Sequence, residues 1–257
     1  MYIVSEDKKL KMLKGDVIQV NKYIILRQYS LNEILENRNE YYNLLGLIVD
    51  TPFERKVSIW DNLKIYWTQI SHWQLFLNNF ESNRAIVSKA LEKFCSLDIS
   101  NFVFGKIKNI QESEVNESDI YDNLFICNKD KTIIIDKDIF YEIVNLLRFM
   151  NGRSIKDEFE MVGRKKDDAI EKERRTLKYM AQGRRLPKHD FASMVSSVWH
   201  IKGGNIEDIY NLKPYQIFNI IDREKKFNEY DELMDKINSG LMTKQIMINN
   251  YMWFNKV

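Results

Sequence analysis

The sequence predicts a mainly α-helical protein with small β elements, an α+β fold built of helical, bundle-like halves. Along most of the chain, apolar residues recur at the three- and four-residue spacing of a buried helix face. Only nine glycines and three prolines occur among the 257 residues, whereas a β-sandwich or barrel needs a turn roughly every ten positions. A content of 44% hydrophobic and 30% charged residues is typical of a folded globular protein.

The first β element is expected near the start of the chain. Residues 16–29 are rich in β-branched and aromatic side chains that partly alternate with polar ones, a pattern that favours a strand pair. Asn21-Lys22 is the candidate turn. From Leu31 the apolar spacing becomes helical, and Pro52 interrupts it because the residue before a proline avoids the helical region.

The second β element is expected in the middle of the chain. The apolar stretches 124–127 and 132–135 flank four polar residues, which is the pattern of a β-hairpin. Asp136 or Asp138 can cap the next helix by accepting hydrogen bonds from its first amides. Asn151-Gly152 should end that helix.

Residues 59–80 carry a high density of large aromatic side chains. Two interpretations are open: the rings fill the core of a buried helical hairpin, or they form an exposed face on which a partner docks. Core packing is favoured, because aromatic stripes at helical spacing usually pack inside a protein. The rings are those of Trp60, Trp67, Trp73, Phe76 and Phe80.

The C-terminal third has clear helix signals. A helix through Trp199 should end at Gly203-Gly204, and Asn205 can cap the next one. Pro214 suits the first turn of a long amphipathic helix, which Gly240 should close.

The domain organisation follows from a change in composition. Residues 152–188 form the most polar stretch and are predicted to be a charged helical connector. It would join an N-terminal α+β domain, residues 1–151, to a C-terminal helical domain, residues 189–257.

The sequence contains no recognisable catalytic motif. None of the histidines, His72, His189 and His200, lies three or four positions from another histidine or a cysteine, so no local metal-binding motif exists. The spacings of phosphate-binding loops, nucleophile elbows and kinase catalytic loops do not occur either. We therefore expect a protein that is not an enzyme, with no catalytic, cofactor-binding or metal-binding residues.

Charge and hydropathy argue against two classes of partner. The net charge is +2, from 39 basic and 37 acidic residues. A charge this small produces no overall electrostatic field that would attract nucleic acid or an anionic membrane. No stretch approaches the roughly 20 apolar residues that span a bilayer, and no signal peptide is recognisable, so neither a membrane partner nor export is expected. Cys95 and Cys127 fit free thiols in a reducing compartment.

The basic stretch of the connector, residues 164–188, carries an alternative function, nucleic-acid binding. Its candidate contacts with phosphates are Arg174, Arg175, Arg184 and Arg185. Acidic residues are interleaved with them, however, and Glu171 lies four positions before Arg175, the spacing of an intrahelical ion pair. An exposed charged helix or connector is therefore favoured over a nucleic-acid surface.

The end of the sequence is too apolar for a solvated tail. It should dock either on its own domain or on a partner, and self-docking is favoured because it needs no partner to be present. The terminal segment, Tyr251, Met252, Trp253 and Phe254, holds the main candidates for partner contact. Trp199 and Tyr215 are further candidates.

Residues 191–199, 205–212 and 215–240, with further stretches at 15–18 and 135–151, resemble proteins encoded among the late morphogenesis genes of phages of Gram-positive bacteria. Most of the residues that carry this resemblance are core and helix-capping positions. Lys213 departs from the pattern, because a better helix-capping residue would be expected before Pro214.

The resemblance implies a non-enzymatic protein of phage particle building, above all in the tail. It would be either an assembly chaperone that holds a tail component in solution or a structural part of the virion. Its partners would be phage structural proteins or copies of itself. Its location would be the host cytoplasm during assembly, or the virion.

Overall fold

The computed structural model describes residues 4–106, 121–153, 164–182 and 191–239. Within these ranges the mainly helical fold with small β elements is confirmed. The helices are α1 (Glu6–Lys14), α2 (Leu31–Glu36), α3 (Arg38–Val49), α4 (Lys56–Leu63), α5 (His72–Ser82), α6 (Arg84–Cys95), α7 (Lys137–Met150), α8 (Arg164–Ala181), α9 (Phe191–Lys202), α10 (Ile206–Tyr210) and α11 (Pro214–Asn238), with a 3-10 turn at Trp67–Gln69. The strands are β1 (Ile18–Gln19), β2 (Ile25–Leu26), β3 (Val103–Lys106), β4 (Leu124–Cys127) and β5 (Ile134–Ile135).

The predicted N-terminal strand pair is confirmed. β1 and β2 are antiparallel, with Ile18 paired to Leu26. Asn21 shapes the turn, because its side-chain Oδ1 accepts hydrogen bonds from the backbone N–H groups of Tyr23 and Ile24, both at 2.9 Å.

The predicted central hairpin is also confirmed, and it belongs to a three-stranded sheet of order β3-β4-β5. The Asn128 side chain accepts a hydrogen bond from the backbone N–H of Ile133 at 3.0 Å and so shapes the turn between β4 and β5. The sequence does not predict β3. Its Gly105 is paired with Phe125 of β4, whose ring occupies the space that a Cβ at Gly105 would fill.

The main hydrophobic core lies among α3, α5, α6 and α7. Trp73 and Phe76 are buried there, and the Phe140 ring of α7 lies 5.2 and 4.6 Å from them, centroid to centroid. Core packing is thus confirmed for most rings of the aromatic-rich segment. Trp67 is buried in a separate cluster around Ile59, so this segment fills two clusters rather than one hairpin core.

The predicted charged connector contains a helix, α8, that packs against α4. Its Ile170 is buried in the cluster with Ile59. At the edge of this contact the ammonium group of Lys56 lies 3.4 Å from the carboxylate of Glu173. α8 is therefore attached to the N-terminal segment, and the division at 152–188 stays a prediction.

The C-terminal helices α9, α10 and α11 enclose a smaller cluster that also includes Leu31 of α2. The Leu31 backbone N–H donates a hydrogen bond to the carbonyl of Leu212 at 3.0 Å. This bond joins the C-terminal cluster to the start of α2. Gly203 and Gly204, both with positive φ, end α9 as predicted, and Asn205 caps α10 through the backbone N–H of Glu207. α11 begins at Pro214 as predicted, whereas the predicted closing residue, Gly240, lies outside the described ranges.

Candidate interaction groove

The candidate site is an open cavity of about 350 Å³ where the end of α7 meets the start of α11. This volume is at the small end of the range for ligand pockets. We call the cavity the aromatic groove, because three aromatic rings contribute to its lining together with a glycine and three polar side chains. The lining residues are Phe149, Gly152, Arg153, Tyr215, Phe218, Asn219 and Asp222.

The start of α11 is held in place by Gln216. Its side-chain oxygen accepts a hydrogen bond from the backbone N–H of Lys213 at 2.8 Å, and its side-chain nitrogen donates to the carbonyl of Leu13 in α1 at 2.7 Å. Lys213, where a better capping residue was expected, therefore has its backbone amide satisfied by Gln216. Proline at the first helical position is favourable because its φ is already helical. These contacts fix Tyr215 and Phe218 on the first turns of α11.

The end of α7 is held in place by Asn151. The hydroxyl of Tyr41 donates to the Asn151 side-chain oxygen at 2.7 Å, and the Asn151 side-chain nitrogen donates to the carbonyl of Leu147 at 2.8 Å. Burial raises the pKa of the Tyr41 hydroxyl far above its usual value, so this donor stays protonated. Gly152 follows with a φ of +62°, a conformation that a residue with a side chain adopts at a cost.

Gly152 also sets the depth of the groove. A Cβ at this position would overlap the ring of Phe218, so the ring rests directly on the glycine backbone. A second contact between the two helices is made by the rings of Phe149 in α7 and Tyr215 in α11, which lie 5.2 Å apart at an interplanar angle of 33°. Partial burial raises the pKa of Tyr215, although the charge of Arg223 opposes the shift. The aromatic lining is therefore preorganised by the two helix ends.

The charged groups of the groove are compensated within the chain. The guanidinium of Arg153 lies 2.7 Å from the carboxylate of Asp50 and 3.5 Å from that of Glu54. Asp222 is paired with Lys226, one turn further along α11, at 2.7 Å. The groove thus offers apolar surface without an uncompensated charge at Arg153 or Asp222.

Trp199, one of the predicted contact residues, is presented at the surface of α9 and not within the aromatic groove. Its side chain is 46% exposed, and its indole N–H donates to the carbonyl of Gly204 at 3.0 Å. Ile206 is also exposed, two residues after that carbonyl. A large ring that is exposed and fixed by a hydrogen bond loses little conformational entropy on binding.

Tyr215 is the one other predicted contact residue that lies within the described residues. Tyr215 lines the aromatic groove, whereas the terminal segment, Tyr251, Met252, Trp253 and Phe254, lies outside the described residues. Arg184 and Arg185 lie outside them as well.

Arg174 and Arg175 are engaged in ion pairs. Arg174 lies 2.7 Å from the carboxylate of Asp61 in α4 and 3.4 Å from that of Glu171, and Glu171 also pairs with Arg175 at 3.4 Å. The predicted ion pair between Glu171 and Arg175 is thereby confirmed. Phosphates would have to compete with these carboxylates for both guanidinium groups.

No family model, curated protein or solved structure matches the chain. In the described ranges, no helix has the length and apolar character needed to cross a membrane. The same ranges hold no group of three or more histidine, cysteine, aspartate or glutamate side chains placed to bind a metal ion. His72 is buried and His200 exposed, while Cys95 and Cys127 are buried free thiols.

Sequence reasoning found Tyr215 but missed the other groove residues. Phe149 and Phe218 carry the same periodic apolar signal as their buried neighbours, so periodicity does not distinguish groove from core. Gly152 gave a helix-end signal only. Its second property, contact with a ring from another helix, depends on tertiary structure.

Proposed function

We propose that this chain is a non-enzymatic protein of phage morphogenesis that works in tail assembly by contact with phage structural proteins. The aromatic groove is the observation that supports action by contact. The family resemblance supports the phage setting, because the groove alone fits many binding proteins.

The groove suits an apolar or aromatic side chain of a protein partner. Phe149, Tyr215 and Phe218 provide apolar walls, and burial of one large apolar side chain against such walls contributes about 1.5–3 kcal/mol. Because Arg153 and Asp222 already have charged partners, binding leaves no unpaired charge behind. Interface hot spots are typically aromatic anchors in preformed pockets of this kind.

Trp199 provides a second contact on the same C-terminal set of helices. Tryptophan is enriched among residues that dominate binding energy, and this ring is fixed before a partner arrives. A partner that uses both sites would gain affinity from two linked contacts.

Quantitative mass spectrometry of purified phage particles and of the lysate in which they formed tests this function. A fixed stoichiometry in particles would identify a structural virion protein, whereas abundance in complexes with tail proteins in the lysate, but not in particles, would identify an assembly chaperone. The proposal fails if the chain is neither in particles nor bound to a phage structural protein in the lysate. Chemical cross-linking before lysis preserves weak complexes for this comparison.

A further inference from the structure

We infer that the aromatic groove is the docking site of the chain's own terminal segment, residues 251–254, so that a partner must displace this segment in order to bind. The inference deepens the proposed function and rests on the same groove. The terminal segment docks on the groove of its own molecule.

The terminal segment has the chemistry that the groove accepts. Tyr251, Met252, Trp253 and Phe254 are four consecutive large side chains, three of them aromatic. Residues 245–255 include no charged side chain, so docking of this stretch removes no charge from water. Aromatic pairs stabilise a contact beyond the effect of the apolar area that they bury.

The electrostatics of the groove match an uncharged guest. Arg153 is paired with Asp50 and Glu54, and Asp222 is paired with Lys226. A strongly acidic or basic guest would have to compete with one of these pairs. An uncharged aromatic segment keeps all of them.

The chain is long enough to bring the segment back to the groove. Asp222 at the groove and Asn238 at the end of α11 are 16 residues apart, which corresponds to about 24 Å of helix. The twelve residues 239–250 can span up to about 40 Å. The segment can therefore reach Phe218 without any change in the described helices.

Docking within one molecule is favoured over exchange between two molecules. A short tether gives its end an effective concentration in the millimolar range at a site within reach. A second copy at micromolar concentration offers far fewer encounters. The free protein thus keeps its aromatic groove covered, and exposes it when a partner of higher affinity competes.

Thiol cross-linking in the full-length chain tests the inference with a matched control. The test variant combines Asn219→Cys in the groove with Asn255→Cys beside the terminal segment, and the control combines Asn228→Cys with Asn255→Cys. Asn219 and Asn228 lie on opposite sides of α11, because nine residues at 100° each make a half turn beyond two full ones. Asn228 is also nearer to the terminal segment in sequence, so random encounters would favour the control.

A short bis-maleimide is added at low protein concentration, and intrachain products are quantified by mass spectrometry. The native thiols of Cys95 and Cys127 are buried. Variants that carry only one of the two added cysteines measure the background reaction with these native thiols. We expect the Asn219 variant to form the intrachain product about tenfold faster than the Asn228 variant, in line with a bound rather than a freely diffusing tether. Adding Trp253→Ala and Phe254→Ala should remove this difference.

Equal rates, or a faster reaction in the Asn228 variant, would overturn the inference, as would a product that links two chains. Binding of the unmodified protein to phage structural proteins is measured separately. If that binding persists while the Asn219 preference is missing, self-docking is wrong and the proposed function stands. If the Asn219 preference is present and no phage structural protein binds, self-docking is right and the proposed function is wrong.

Discussion

The guanidinium of Arg148 donates hydrogen bonds to both carboxylate oxygens of Glu54, at 2.8 and 3.3 Å, although the arginine side chain is only 2% exposed. Burial alone would raise the pKa of Glu54. The hydrogen bonds from Arg148 and from the backbone of Thr51, together with the charges of Arg148 and Arg153, outweigh it and lower that pKa. This pair ties α7 to the turn after α3, next to the Arg153 side of the aromatic groove.

Glu54→Ala should lower the free energy of unfolding by about 3 kcal/mol, because it leaves the buried Arg148 charge without its carboxylate. Urea unfolding at pH 7 measures the change. Lys89→Ala, which removes an exposed ion pair with Glu40, is the control and should change the free energy of unfolding far less, because water screens the pair. Similar losses in the two variants would show that Arg148 finds another partner or water.

His72 should make the protein less stable as the pH falls from 7 to 5. Burial, assisted by the charges of Arg148 and Arg55, lowers its pKa to about 4, from an ordinary value near 6.5. The unfolded chain therefore binds a proton that the folded chain excludes, and stability decreases below pH 6.5. The expected loss from this residue is about 2 kcal/mol between pH 7 and pH 5.

Urea unfolding of His72→Gln and His200→Gln at both pH values checks this origin. His72→Gln should flatten the pH dependence whatever its effect at pH 7, because glutamine does not titrate. His200→Gln, at an exposed site, should keep the pH dependence of the unmodified protein. An unchanged slope in His72→Gln would assign the effect to other groups.

Gly152→Ala should destabilise the protein by about 2–3 kcal/mol, because it combines a positive φ with overlap against Phe218. Gly203→Ala separates the two causes, since Gly203 also has a positive φ but nothing within 4 Å of an added Cβ. The control should lose only about 1–2 kcal/mol. Equal losses in urea unfolding would mean that the Phe218 ring moves aside easily.

Trp73→Ala and Trp199→Ala should differ strongly in stability. Trp73 is fully buried in the main core, and its removal should cost about 3–5 kcal/mol. Trp199 is 46% exposed and should cost less than about 1.5 kcal/mol, mainly through the hydrogen bond to Gly204. Thermal unfolding measures both, and a large loss in Trp199→Ala would place that ring in the structural core instead of a contact surface.

Local signals predicted much of the fold. The Asn21 turn, the hairpin around Asn128 and the start of α11 at Pro214 each depend on a few neighbouring residues, and the structure confirms them. β3 escaped prediction because its four residues are stabilised by pairing with β4, a partner about twenty positions away. The attachment of α8 to α4 is likewise tertiary: it combines burial of Ile170 with ion pairs from Glu173 to Lys56 and from Arg174 to Asp61.

The candidate site was predicted less completely than the fold. Tyr215 was selected as an aromatic residue in a helix, but its neighbours Phe149 and Gly152 come from the end of α7 and the turn after it, more than sixty positions earlier. The hydrogen bond from Gln216 to Leu13 holds the start of α11 against α1, and the hydrogen bond from Tyr41 to Asn151 holds the end of α7 against α3. The Phe149 and Tyr215 rings then meet between the two helix ends. These contacts are tertiary, so no spacing in the sequence reveals them.

A pair of arginine substitutions tests the central claim, protein contact through the aromatic groove, most directly. Asn219→Arg places a bulky cation in the groove, and Asn228→Arg places the same side chain on the opposite side of α11. Association of each variant with phage structural proteins is measured by cross-linking and mass spectrometry, after urea unfolding has shown that both fold. The account predicts at least a tenfold loss for Asn219→Arg, about 1.4 kcal/mol, and none for Asn228→Arg; equal association of the two variants would contradict it.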